Sequence, residues 1–213
     1  MKDDAVRNKI YEKIKNQIMN KHVFPGSRIV EDDIAKESNV SRAVVRSVLS
    51  RLQSEGFIRI IPNKGACVTK PTIEEMQNTY HVRLSLELGA ASLAVKNISE
   101  EAIARMEENY TKQVQLKGAF SEIEYAKLNR DFHWEIALAS KNDYYIKYLN
   151  EMLNIVHIYL VFFDAAHDNT VSLSTHRMIL NALKERDESK LLGAIRLDQQ
   201  NGMQNLEDKT FID

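Results

Sequence analysis

Val40-Ser41-Arg42-Ala43-Val44-Val45-Arg46-Ser47-Val48-Leu49-Ser50-Arg51-Leu52 carries two patterns at once. Ser41 is a good helix N-cap, because its hydroxyl can accept from the free amides of a first turn. From it Val45, Val48, Leu49 and Leu52 recur at helical spacing, which predicts a buried stripe. Arg42 and Arg46 are four residues apart and so stand one above the other; with Arg51 they lie away from that stripe. Upstream, Glu31-Asp32-Asp33-Ile34-Ala35-Lys36-Glu37-Ser38 reads as a short acidic-capped helix, and Asn39-Val40 as a tight turn. A helix, a short turn and a second, basic helix make a helix-turn-helix, whose second helix suits a DNA groove. The plainer alternative is an amphipathic helix pair with solvated arginines, and the flanking sequence weighs against it.

A first helix is predicted over about Asp4 to Asn20, where Val6, Ile10, Ile14 and Ile18 form an i, i+4 ladder with Tyr11 beside it. Phe24-Pro25-Gly26-Ser27 stops it, since proline cannot continue a helix and Pro-Gly favours a turn. Beyond the basic helix, Glu55-Gly56 ends the helical pattern, and Phe57-Ile58-Arg59-Ile60-Ile61 is a β-branched run of strand length. Pro62-Asn63-Lys64-Gly65 is a turn, and Ala66-Cys67-Val68-Thr69 a second short strand, so the two pair as a hairpin. Three helices plus a basic-tipped hairpin describe a winged helix-turn-helix over residues 1–70.

Residues 71–213 are helical in pattern throughout, predicting an all-α antiparallel bundle and a mainly α chain. Thr72-Ile73-Glu74-Glu75 has the capping-box pattern and opens a long helix with Met76, Tyr80, Leu84, Leu88 and Ala91 on its buried side. Ser99 starts a second helix ending at Gly118, and Ser121 caps a third reaching about Ser140. Tyr144 to Phe163 is apolar nearly all round, which places it centrally or in a dimer interface. Asp164 to Thr170 is a loop, Ser172 to Glu185 a fifth helix, and Asp187 caps a sixth running to about Leu206.

Charge separates the two halves. The net charge is −1, yet residues 1–70 hold 14 Lys and Arg against 8 Asp and Glu, a balance of +6, leaving −7 for residues 71–213. A basic N-terminal part that meets a polyanion and an acidic remainder that does not would be arranged this way. No apolar run reaches the roughly 18–20 residues of a membrane span, and Met1-Lys2-Asp3-Asp4 is too polar for a signal peptide, so a cytoplasmic protein with no membrane partner is expected. The single cysteine, Cys67, has no intramolecular partner and reads as packing.

Pro25-Gly26, Ile34-Ala35, Val40-Ser41-Arg42, Val45-Arg46, Leu52, Glu55-Gly56 and Gly65 are spaced across Tyr11 to Val68 in a way that resembles the DNA-binding domain of GntR-family transcription regulators. The resemblance implies that Arg42 and Arg46 reach double-stranded DNA from the start of the recognition helix, with Ser41 at its N-terminus and Lys64 and Gly65 at the tip of the wing. An arginine fork matches guanine O6 and N7, so the residue type fits that role. Val44 departs from the pattern, standing where many relatives carry proline or threonine, which leaves the contact made there open. Asp32 is discordant, because an acidic side chain near phosphates repels them: it either faces away or tunes specificity.

Further on, Arg83-Leu84-Ser85-Leu86-Glu87, Asn129-Arg130-Asp131-Phe132-His133, Asn142, and His176-Arg177-Met178-Ile179-Leu180 with Asp187 resemble, in order, the helical FCD ligand-binding domain of the FadR subfamily. The resemblance implies one divalent transition metal per subunit (Zn, Ni, Mn or Fe), held by Asn129, His133, His176 and Asp198. Asn129 and His133 are at i, i+4 on one helical face. Asp198 stands where relatives carry a last histidine, which makes the donor set harder. Arg83 would anchor a carboxylate, although an i, i+4 ion pair with Glu87 is the plainer reading. Packed or surface imidazoles are expected for His22, His81, His157 and His167.

The expected function is therefore a homodimeric regulator responding to a small organic acid effector and binding a palindromic operator. Two alternatives are a helical-bundle metalloenzyme and a winged-helix protein-interaction adaptor. Against the first, the chain has no His-Glu-x-x-His, no Gly-x-Ser-x-Gly and no Gly-x-Gly-x-x-Gly, and it lacks the Glu-x-x-His pairs of a di-iron bundle. Strongly salt-dependent duplex binding would set the regulator apart from both.

Overall fold

Helix α1 (Lys2–Met19) lays Ile10, Tyr11, Ile14 and Ile18 onto the apolar stripe of α3 (Arg42–Ser54), whose Val45, Val48, Leu49 and Leu52 are buried as its spacing predicts. The computed structural model describes residues 2–116, 121–163 and 170–207 of the chain. Expectations at Gly118, over residues 164–169 and at His167 fall outside them. Val6, expected in the ladder, is exposed instead, because the facing stripe of α3 does not extend that far.

Between these helices lies α2 (Glu31–Ser38), closed by Asn39 in the left-handed conformation at φ 51°. The Val40 amide donates back to the Ala35 carbonyl at 3.0 Å, and Ser41 Oγ then accepts from the Val44 amide at 3.4 Å. Asparagine tolerates the left-handed region and serine caps a new helix, so three residues turn the chain from one helix into the next.

The wing is a three-stranded antiparallel sheet in the order β1-β3-β2, from β1 (Arg28–Ile29), β2 (Ile58–Ile61) and β3 (Gly65–Val68). The expected hairpin is present, in register Ile58 opposite Val68 and Ile61 opposite Gly65. The additional strand β1 pairs Arg28 with Cys67 and Ile29 with Ala66. Pro62 and Asn63 form the turn, the Lys64 amide donating to the Ile61 carbonyl at 3.0 Å with Asn63 at φ 65°. Proline followed by a positive-φ residue is the chemistry of a type II turn.

Among the described residues six helices follow: α4 (Ile73–Asn97), α5 (Glu100–Gln115), α6 (Glu122–Ala139), α7 (Asp143–Phe163), α8 (Thr170–Glu185) and α9 (Glu188–Glu207). The Thr72 capping box forms, Thr72 Oγ1 and Glu75 exchanging hydrogen bonds at 3.1 and 2.9 Å. Thr170, expected to end a loop, is the first residue of α8. On α4 Met76, Tyr80 and Ala91 are buried as expected, but Leu84 and Leu88 are only partly buried, while Arg83 and Glu87 lie deep inside. Polar groups deep in a bundle must be paired, and these two are. No helix among the described residues is long and apolar enough to cross a membrane.

Helix α7 joins the two parts. Its Ile158 packs into the core formed by α1, α3 and the wing, and Phe162 meets Phe24 at 5.6 Å between ring centroids. Gly56, at φ 79° just past α3, presses on α7, where an added Cβ would lie 3.1 Å from Ile155 and 3.2 Å from Glu151. Asn154 donates from Nδ2 to the Glu55 carbonyl at 2.9 Å and accepts from Arg130 Nε of α6 at 2.7 Å.

Candidate functional site

Arg42 and Arg46 project from the first two turns of α3 and are exposed, as are Ser41, Lys64 and Gly65. Each arginine is held by the preceding helix: Arg42 by Asp32, with Nε–Oδ1 at 2.6 Å, and Arg46 by Glu31, with Nε–Oε2 at 3.0 Å. Asp32 thus does not face away; it orients Arg42. Val44 is half-buried and packs against the core behind the helix. Arg51 is exposed but turned toward α1, lying over the Tyr11 ring at 3.7 Å and bonding to Glu55 and Asn8.

Inside the bundle, α6 and α8 bring His133 and His176 together with their Nε2 atoms 3.2 Å apart. Asp198 from α9 completes a triangle, Oδ2 lying 3.3 Å from His133 Nε2 and Oδ1 3.7 Å from His176 Nε2. Asn129 lies one turn before His133 and is likewise buried. Each imidazole is fixed from behind. His133 Nδ1 meets Glu87 Oε1, and Glu87 Oε2 accepts from Arg83 Nε at 3.1 Å and from Gln199 Nε2.

Behind His176 runs a chain with only one sense. Asn109 Nδ2 donates to the Leu128 carbonyl at 3.0 Å, so its Oδ1 faces Gln113 Nε2 at 2.7 Å, and Gln113 Oε1 faces His176 Nδ1 at 2.7 Å. An amide oxygen only accepts, so His176 carries its proton on Nδ1 and turns the lone pair of Nε2 toward His133. Phe132 stacks on the His176 ring at 4.3 Å and holds its plane.

Charges follow from this packing. Burial drives the His176 imidazole down to about 3, helped by His133 and Arg83 and opposed by Asp198. Burial acts the same way on His133, but Glu87 and Asp198 outweigh it and hold the ring above its ordinary value. Burial would raise Asp198, yet its bond to His133 and the charges around it keep the carboxyl well below the usual range. Glu87 is likewise lowered by His133 and Arg83 against its burial.

Two nitrogen lone pairs cannot face each other at 3.2 Å without a cation between them. A proton on His133 meets that need, and so would a metal ion. Metal–ligand bonds of about 2.0–2.1 Å give donor–donor edges of roughly 3.0–3.4 Å, against the observed 3.2, 3.3 and 3.7 Å. The residues present therefore fit a divalent transition metal, and Glu87 and Gln113 are the outer partners such histidines require. Sequence reading found His133, His176 and Asp198 but missed Gln113 and Gln199, and it saw Glu87 only as the partner of Arg83. Arg83 makes that ion pair and keeps Nη2 without a hydrogen-bond partner among the described residues.

Comparison with known proteins matches residues 6–68 to the family described as bacterial regulatory proteins, gntR family, and residues 78–197 to the FCD domain. The Nta operon transcriptional regulator of Aminobacter aminovorans is 32% identical over 126 residues, covering 59% of this chain and 60% of that one. The HTH-type transcriptional repressor RspR of Escherichia coli is 25% identical over 183 residues, covering 85% and 80%. Among solved structures, E. coli McbR/YncC superposes with a TM-score of 0.79 at 20% identity, over 95% of this chain and 97% of that one, which shows a shared fold. With a winged helix at one end and a buried histidine-carboxylate cluster at the other, the chain belongs to the GntR family of transcription regulators, among those that carry an FCD domain.

Proposed function

We propose that this regulator binds a palindromic operator as a homodimer, with residues 1–70 on DNA and residues 71–213 pairing subunits and binding a small organic acid. One recognition helix reads few base pairs, so two symmetric half-sites are needed for useful specificity. Ser41, Arg42, Arg46, Lys64 and Gly65 are the DNA contacts, with Val44 packing behind them. Asn129, His133, His176 and Asp198 hold one divalent metal, which when bound supplies an electrophilic anchor for a carboxylate oxygen. Arg83 Nη2 is the second anchor. The cytoplasm is the compartment of such a protein.

A single observation carries this reading: two imidazoles with opposed Nε2 atoms, each braced through Nδ1, and a carboxylate at ligand-to-ligand distances. The test combines elemental analysis with melting curves in the presence of sugar acids and dicarboxylates, with and without added Zn, Ni, Mn or Fe. About one metal per chain and a carboxylate-dependent melting shift that needs the metal are expected, since a ligand that binds only the folded state raises its stability. Absence of metal after reconstitution, or full occupancy in His133→Ala, would overturn it.

A further inference from the structure

A cavity separate from the histidine cluster lies where α1 of the winged-helix part meets α6 and α7 of the bundle. Its volume is about 220 Å³, and Lys15, Lys127, Arg130, Asp131, Glu12 and His157 are among the residues lining it. This is several times the ~30 Å³ share of a water molecule but below the roughly 300–1,000 Å³ of pockets for larger ligands, so a compact guest fits.

The lining sets three cations, Lys15, Lys127 and Arg130, against two carboxylates, Glu12 and Asp131. Lys15 makes no ion pair among the described residues; its ammonium lies 5.7 Å from the ring centroids of both Tyr11 and Phe57. Lys127 is exposed and also has no ion pair among the described residues. Arg130 is fixed by Asn154 and Asn150, each at 2.7 Å, and leans on Asp131 at 3.4 Å. Glu12 is exposed. Burial lowers Lys15, and the Arg130 charge lowers it further, so the cations are close enough to repel one another.

His157 is the second, independent sign. It is 1% exposed, and neither ring nitrogen makes a well-formed hydrogen bond among the described residues, the Ala126 carbonyl offering only a poorly aligned one. The Ala126 carbonyl favours its protonated form but is outweighed by burial and by Arg130, Lys15 and Lys127. A buried imidazole lining such a cavity with its N–H only poorly met is the kind of exception that calls for a better partner.

We propose that this cavity binds a compact oxyanion, a phosphate or a short carboxylate, held by the Lys15 and Lys127 ammonium groups and by the His157 N–H. Arg130 supplies fixed charge, its strongest donors being committed to Asn150 and Asn154. Because Lys15 comes from α1 and the others from α6 and α7, an occupant ties the DNA-binding part to the bundle.

Calorimetric titration of the full chain with inorganic phosphate, and separately with malonate, tests this at constant ionic strength with a chelator present, so that metal-borne binding is excluded. One saturable site per chain is expected for at least one of the two anions, and the better ligand identifies the source chemistry. Binding should weaken at least tenfold in Lys15→Gln/Lys127→Gln and persist in Arg42→Ala/Arg46→Ala and in His133→Ala. Lys127→Gln alone changes an exposed side chain and serves if the double variant does not fold. No saturable binding of either anion, or undiminished binding in the lysine variants, overturns the proposal; failure of the metal site leaves it standing.

Discussion

At the scale of single residues, the two arginines proposed to read DNA are already held by acidic partners. Arg42 and Arg46 are 65% and 67% exposed, so their pairs with Asp32 and Glu31 are worth little in stability and open readily. What the acids change is aim and charge. Arg42→Ala and Arg46→Ala should each lose roughly 1–3 kcal/mol of operator binding and relax base preference, and unchanged footprints would sink the assignment. Asp32→Asn should act oppositely on bulk affinity: tighter binding to random duplex, and a smaller ratio of operator to random affinity. Equal ratios in parent and variant, by fluorescence anisotropy at matched salt, would show that Asp32 does not steer Arg42. In the bundle, Asp198→His should tighten metal binding by restoring a third imidazole; a chelator competition in which the variant loses metal first would contradict that. His133 and His176 were legible through the resemblance of the residues around them to the FCD domain, and Asp198 only by counting along the last helix. Gln113 and Gln199 were not, since polar residues on a helix read as a solvated face until the partner that buries them is known.

At the scale of elements, α3 and α7 hold the two parts together. Asn154 is fully buried and serves both Arg130 and the Glu55 carbonyl, so Asn154→Ala strands a buried N–H and a helix-end carbonyl. Such orphaned groups cost about 1–3 kcal/mol each, and urea unfolding should read a loss of about 2–6 kcal/mol for the two. His157, also on α7, makes stability depend on pH. Its ring is held down at about 3 by burial and by Arg130, Lys15 and Lys127, against an ordinary value of 6.5. Between those values the unfolded chain takes up a proton that the folded chain refuses, so stability is full above pH 6.5 and falls as pH drops, by at most ~1.4 kcal/mol per unit. His157→Leu should flatten that slope; identical slopes in urea melts at several pH values would exclude the ring as a cause. The helices were readable from period and caps. Strand β1 was not, because two residues are too few to show alternation, and its pairing is set by β3 some forty positions later.

At the scale of the whole molecule, the order of parts was written in the motifs and in the charge division, but their junction was not. The bond from Asn154 to Glu55 spans 99 positions, and no local pattern announces such a contact. The charge division has a measurable consequence for the assembled protein. If the basic face made by Arg42, Arg46 and Lys64 carries DNA, operator affinity should fall linearly with the logarithm of salt, and Lys64→Ala should lower the slope by about 1. A slope near zero would place the DNA surface elsewhere.

Gly56 gives the junction the character of a pivot with a long arm. Helix α3 has 13 residues, so at ~1.5 Å per residue Arg42 stands about 20 Å from the hinge end. A swing of about 10° there would carry the arginine roughly 3.4 Å, the axial rise of a single base pair. If two subunits bind symmetric half-sites as proposed, the close seat of Gly56 on Glu151 and Ile155 would bear on how many base pairs separate them. Gly56→Ala should let the dimer accept operators lengthened or shortened by one base pair; a variant that keeps the parent's spacing preference would locate the gauge in the subunit interface instead.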